Sequence, residues 1–122
     1  MSKKLLTPLE LKVMNILWKQ KKAFVKELKE SWPEDPAPAY NTISTTVRIL
    51  QDKGFVSHES FGRTHQYYPV VSKLAYQKNL ISNVLENAFA GSVTGLLSAL
   101  IDNEAIPNND LDELQDLIDK KK

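Results

Sequence analysis

Between Gly54 and Ser72 the chain breaks from helical spacing and shows two runs rich in aromatic and β-branched residues, Phe55–Ser60 and His65–Val71, joined by Phe61-Gly62-Arg63-Thr64. Such runs around a glycine-containing turn predict a β-hairpin, and Pro69 belongs on a strand edge because it has no N–H to give a ladder. On both sides of this hairpin the apolar residues recur at helical intervals. A single hairpin in an otherwise helical chain leaves few folds, and the order of the helices narrows them further.

Thr7-Pro8-Leu9-Glu10 has the chemistry of a helix start: Thr7 to cap, Pro8 at the first helical position and Glu10 to complete a capping box. Leu6 and Leu11 are spaced for a hydrophobic staple across that cap. Leu9, Val13, Ile16 and Leu17 continue the helix, and the lysines of 19–22 close it at the negative end of its dipole. Ala23-Phe24-Val25 is a short apolar bridge into a second helix, expected through about Trp32. Pro33, Pro36 and Pro38 then enforce a loop. A third helix is expected from Ala39 to Lys53, stopped by Gly54. Three helices followed by a hairpin is the order of a winged helix, a helix-turn-helix motif with a β wing.

Downstream, Leu80, Ile81, Val84, Leu85, Ala88 and Phe89 form one helical stripe, and Val93, Leu96, Leu97, Leu100 and Ile101 a second. Leu111, Leu114, Leu117 and Ile118 form a third beyond Pro107-Asn108-Asn109. The expected architecture is mainly α with a small β-hairpin wing: a winged helix-turn-helix domain over residues 1–72 and a C-terminal helical dimerisation region over 73–122. Residues 73–122 are too few and too apolar for a core of their own, which points to pairing with a second copy.

Charge divides along the same line. Residues 1–80 hold 13 Lys/Arg against 7 Asp/Glu, a balance of +6, and residues 81–122 hold 3 against 8, a balance of −5. A basic front and an acidic back suit a polyanion-binding part joined to a part with another task. The chain has no cysteine and two histidines, His58 and His65. This excludes disulfides, thiol nucleophiles and thiolate metal sites, and leaves no expectation of a metal or other cofactor. Leu5 and Leu6 run at once into Thr7-Pro8 and no run of 18 apolar residues occurs. The expectation is a cytoplasmic protein without membrane insertion. No metalloprotease, nucleophile-elbow, P-loop or dinucleotide motif is present, so no enzyme is indicated.

On the third helix, at about 100° per residue, Ile43, Thr46, Val47 and Leu50 fall on one side. Asn41, Ser44, Thr45 and Arg48 fall on the other. Asn pairs with adenine and Arg with guanine in the major groove, and a Thr methyl can touch thymine. Asn41, Thr42, Ser44, Thr45 and Arg48 are therefore the candidate base readers, against the plainer reading of a solvated polar face. Arg63 and His65 on the hairpin, with Thr7 and Lys53, are candidates for the phosphate backbone. Phe55, Phe61, Tyr67 and Tyr68 are expected to pack as core rather than to stack on bases. The alternative function is a winged-helix module for protein–protein contact without specific DNA binding.

These residues together resemble the penicillinase repressor (BlaI/MecI) family. Leu6-Thr7-Pro8-Leu9-Glu10 with Val13-Met14 and Leu17-Trp18 is similar to its first helix. Asn41-Thr42-Ile43-Ser44-Thr45, Leu50 and Lys53-Gly54-Phe55-Val56 are similar to its recognition helix and the start of its wing. Gly62-Arg63, Gln66-Tyr67-Tyr68-Pro69 and Val71-Ser72 are similar to the end of that wing, and the likeness reaches Asp112-Glu113-Leu114. The resemblance implies a homodimeric repressor of a resistance or stress operon that binds a double-stranded, inverted-repeat operator. It places the dimer interface on Leu80, Ile81, Val84, Leu85, Phe89, Val93, Leu96, Leu97, Leu100, Ile101, Leu114, Leu117 and Ile118. In lactam-responsive members a membrane metalloprotease sensor acts indirectly to cause cleavage of an Asn-Phe bond. The matching place here is Ala99-Leu100, which speaks against induction of that kind while leaving proteolysis in general open. The cysteine cluster of copper-responsive members is absent.

Overall fold

The structure is a computed structural model that describes residues 5–103 and 106–121. The chain forms two compact units, one ending at Leu80 and the other beginning at Ile81. The first unit holds α1 (Pro8–Gln20), β1 (Ala23–Phe24), α2 (Val25–Glu30), α3 (Tyr40–Asp52), β2 (Val56–Phe61), β3 (Thr64–Pro69) and the start of α4 (Lys73–Phe89). The second holds the rest of α4, α5 (Val93–Asp102) and α6 (Asn108–Lys121).

The start of α1 follows the capping chemistry in full. Thr7 Oγ1 accepts from the Glu10 N–H at 3.2 Å, and Glu10 Oε1 accepts from the Thr7 N–H at 2.9 Å. Two otherwise orphaned N–H groups are thereby satisfied. The apolar stripe of α1 then supplies Val13, Met14 and Leu17 to the core, where they meet Leu28 of α2 and Ile43, Val47 and Leu50 of α3. Thr46, on the same side of α3, is buried and returns its hydroxyl to the Thr42 carbonyl at 2.8 Å, so the cost of desolvating it is offset by the bond it makes.

The sheet differs from the expected hairpin by one strand. Ala23-Phe24, read as a bridge, is β1, and it pairs antiparallel with β3 through Ala23↔Tyr67 and Phe24↔Gln66. The order is β1-β3-β2, which makes β3 central. Two residues are too short a run to show alternation, so pairing alone reveals this strand. Pro69 is the last residue of β3 and pairs only with Val56, so its missing N–H interrupts no second ladder. The hairpin turn is tighter than expected, because Phe61 pairs with Thr64 and leaves Gly62-Arg63 as a two-residue loop. Gly62 has φ +64° while Arg63 is not in the positive-φ region, the pattern of a type II′ turn, whose twist matches its strands. The second helix also stops early, at Glu30 rather than Trp32.

The first turns of α4 belong to this unit. Tyr76 is buried among the core residues, Leu80 packs against them, and the Tyr76 hydroxyl accepts the Leu6 N–H at 3.1 Å. Trp18 Nε1 donates to the Val71 carbonyl at 2.9 Å, fixing the chain where it leaves the wing.

In the second unit, Ala90 and Gly91, at φ +48° and +79°, end α4, and Ser92 caps α5 by accepting the Gly95 N–H at 2.9 Å. No residue of α5 and none of the described residues of α6 is fully buried. Leu97 and Ile101 of α5 and Leu111, Leu114, Gln115 and Ile118 of α6 line an apolar cleft of about 210 Å³. Among the described residues no single helix is long and apolar enough to cross a membrane.

Candidate nucleic-acid interface

The burial of Ile43, Thr46, Val47 and Leu50 fixes the rotation of α3 and turns its other side to solvent. Asn41, Thr42, Thr45 and Arg48 are exposed there, with Ser44 half-buried. Arg48 lies over its own helix, where Nη2 meets Thr45 Oγ1 at 3.4 Å, a weak interaction that a stronger acceptor can replace. Ala39, the residue before the helix, offers no capping side chain, so the first-turn N–H groups of α3 are left to solvent or a ligand.

The wing stands beside this face. His58 Nδ1 is 2.8 Å from Gln51 Oε1, tying β2 to the end of α3. The His58 and His65 rings stack at 4.0 Å and are nearly parallel, and both contact Tyr67. The Tyr67 hydroxyl is held above its ordinary pKa, mainly by burial, with nearby Arg48 opposing the shift and Tyr40 adding to it. Arg48 of the exposed helix face and the inner wing therefore lie within electrostatic reach of each other. Arg63 is exposed at the wing tip, and His65 is half-buried by its stacking partner.

Two of the four hairpin aromatics depart from the core reading. Phe55 and Tyr67 are buried, but Phe61 and Tyr68 are 48% and 39% exposed. Strand alternation sends neighbours to opposite faces, and only one face of this small sheet has helices against it. Phe61 instead packs edge-on against Phe24 at 5.6 Å, bracing the wing tip on the start of α2.

Thr7 and Lys53, named as phosphate candidates, are engaged within the chain. The Thr7 hydroxyl is the cap of α1. Lys53 Nζ donates to both Glu10 oxygens at 2.8 and 2.9 Å, with its side chain 23% exposed. Burial pushes the Glu10 carboxyl up, but the hydrogen bonds from Lys53 and Thr7 and the Lys53 charge outweigh it and hold the group below its usual value. This pair joins the start of α1 to the end of α3, so its evident effect is on the aim of α3.

Sequence reasoning missed Tyr40, Ile49, Gln51 and His58. Tyr40 and Ile49 are 49% and 42% exposed on α3. Large apolar residues in a helical pattern read as core, and only their angular position could have set them apart. On the other unit, Ile81, Val93, Ile101 and Leu117 are more than half exposed, and Ile118 is 36% exposed. Val84, Leu85, Phe89, Leu96, Leu97, Leu100 and Leu114 are half-buried, while Leu80 packs on the core of the first unit. Among the described residues no group of three or more His, Asp or Glu side chains could hold a metal ion.

Known proteins are similar to this chain. The methicillin resistance regulatory protein MecI of Staphylococcus aureus strain N315 is 25% identical over 112 residues, covering 92% of this chain and 91% of its own. The penicillinase repressor of Bacillus licheniformis is 22% identical over 113 residues, covering 93% and 88%. Among solved structures, the DNA-binding domain of the repressor BlaI matches with a TM-score of 0.54 and 25% identity, over 62% of this chain and 92% of that domain. The penicillinase repressor family model matches residues 6–120, nearly the whole chain, and the protein belongs to that family of winged-helix repressors.

Proposed function

We propose that the protein is a cytoplasmic transcriptional repressor that binds an inverted-repeat operator as a homodimer and controls a resistance or stress operon. The observation that carries this reading is the outer face of α3. Asn41, Thr42, Thr45 and Arg48 are exposed side by side while the opposite side of the helix is locked into the core. A helix that presents amide, hydroxyl and guanidinium groups from a rigid seat has the chemistry to read base edges. Arg63, exposed on a turn held by strand pairing and by the Phe24–Phe61 contact, adds a backbone contact on this reading.

The homodimer is supported by the second unit, where Ile81, Val93, Ile101, Leu117 and Ile118 are exposed in the single chain and none of the described residues of α5 or α6 is fully buried. An apolar surface of this kind is stabilised by burial against another molecule. A two-fold dimer presents its two recognition helices roughly 34–36 Å apart, one turn of DNA, or a multiple of that. Ala99-Leu100 lies within α5, so cleavage there requires local unfolding of that helix, and induction through this bond is not part of the proposal.

Fluorescence anisotropy on the DNA upstream of the gene, against a shuffled duplex at several salt concentrations, tests the reading. A preference of about a thousandfold or more is expected, the lower end of the range for specific binding. Equal and salt-fragile binding to both duplexes, repeated with duplexes selected from a random-sequence pool, would reject sequence-specific repression in favour of a protein-binding module.

A further inference from the structure

Ile49 is a β-branched aliphatic residue, 42% exposed, on a helix whose buried side is already filled by Ile43, Val47 and Leu50. At about 100° per residue, Thr45, Ile49 and Thr42 fall within about 60° of one another. Ile49 thus extends an edge of the face that holds Asn41 and Arg48, one turn beyond Thr45. We propose that Ile49, with the methyl groups of Thr42 and Thr45, forms an apolar strip that recognises thymine through its C5-methyl group. This rests on the reading of α3 as the DNA-reading helix and adds a base preference to it.

The chemistry favours that target. Thymine carries the methyl group of the major groove, whereas the other base edges there present hydrogen-bond donors and acceptors. A side chain with no donor or acceptor gains nothing from those edges and desolvates them. Against a methyl group it removes apolar surface from water on both sides. Two threonines flanking it offer methyl groups as well, so the strip is continuous along the helix. Arg48, folded toward Thr45, lies on the neighbouring side and can turn to a guanine adjacent to the thymine.

The test uses the full chain and the tightest duplex selected from a random-sequence pool, with each thymine replaced in turn by deoxyuridine, which lacks only the methyl group. At one thymine per half-site the wild-type protein is expected to bind about fourfold more weakly for each methyl removed, the factor that corresponds to about 0.8 kcal/mol per buried carbon. Ile49→Ala should bind thymine and uracil duplexes alike at that position, while Ile49→Val, which keeps the branch, retains part of the discrimination. Circular dichroism of both variants shows that the fold is kept, as expected for a side chain this exposed. A wild-type protein indifferent to every deoxyuridine, or an Ile49→Ala variant that still discriminates as the wild type does, overturns the proposal while leaving sequence-specific binding intact. Failure of the wild type to prefer any selected duplex removes the DNA reading itself, and the Ile49 assignment with it.

Discussion

Glu10 keeps its charge although it is 5% exposed, because Lys53 and the Thr7 N–H replace the water it gives up. Its folded pKa lies below the ordinary value, so the pair contributes stability above the unfolded carboxyl pKa, about 4.3, and loses it as pH falls through the folded value. Glu10→Gln should cost about 1–3 kcal/mol at neutral pH, since it leaves the partly enclosed Lys53 without its counter-charge. In denaturant titrations the gap between wild type and variant should close as pH falls through the lowered carboxyl value of the folded state; a gap independent of pH would remove the ion pair as its cause. Arg48 poses the opposite case, an exposed charge that on the proposed reading meets a base. Arg48→Ala should leave stability nearly unchanged and cost about 1–3 kcal/mol on the operator. An Arg48→Ala dimer with full operator affinity would show that this side chain reads no base.

The wing and α3 act as elements held together at several points. Strand pairing through Phe61↔Thr64, the His58–Gln51 hydrogen bond and the Phe24–Phe61 contact fix the hairpin against α2 and α3. Gly62, at φ +64°, permits the two-residue turn that sets Arg63 at the tip. If Arg63 meets a phosphate, Arg63→Ala should reduce the slope of log affinity against log salt by about 1 while specificity is largely kept. Anisotropy titrations over a range of salt measure this directly, and an unchanged slope places the wing tip away from the backbone. The wing was legible as a hairpin because its runs are long enough to show strand composition. Its third strand was not, since β1 is two residues long and owes its existence to the free edge of β3.

For the whole molecule, the two units pose different energetic problems. The first has a filled core drawn from α1 to α3, the start of α4 and the sheet. The second has no fully buried residue among those described in α5 and α6, and a cleft of about 210 Å³ between its helices. If a second copy covers that surface, charged residues at its centre should prevent assembly. Leu97→Glu combined with Leu100→Glu is expected to yield monomers by light scattering and to weaken operator binding, since each half-site then binds alone. A doubly substituted protein that remains dimeric would move the interface elsewhere on the chain.

Local chemistry in the chain was sufficient for the helices to within a few residues of their ends, the Thr7 cap of α1, the existence of the hairpin and the polar face of α3. Each depends on neighbours within a few positions, where capping, helical spacing and glycine geometry act. Residues 41–48 could thus be singled out before any packing was known. Tertiary structure decided which surface residues are free to act. Lys53 looks like any exposed cation in sequence, but the approach of α1 to the end of α3 engages it, whereas the Thr7 hydroxyl is taken up locally by the cap of its own helix. Ile49 and Phe61 look like core residues, yet the helix and the small sheet have no apolar partner left to cover them fully. Periodicity tells which residues share a face; only packing across distant parts of the chain determines whether that face meets a core, a counter-charge or solvent.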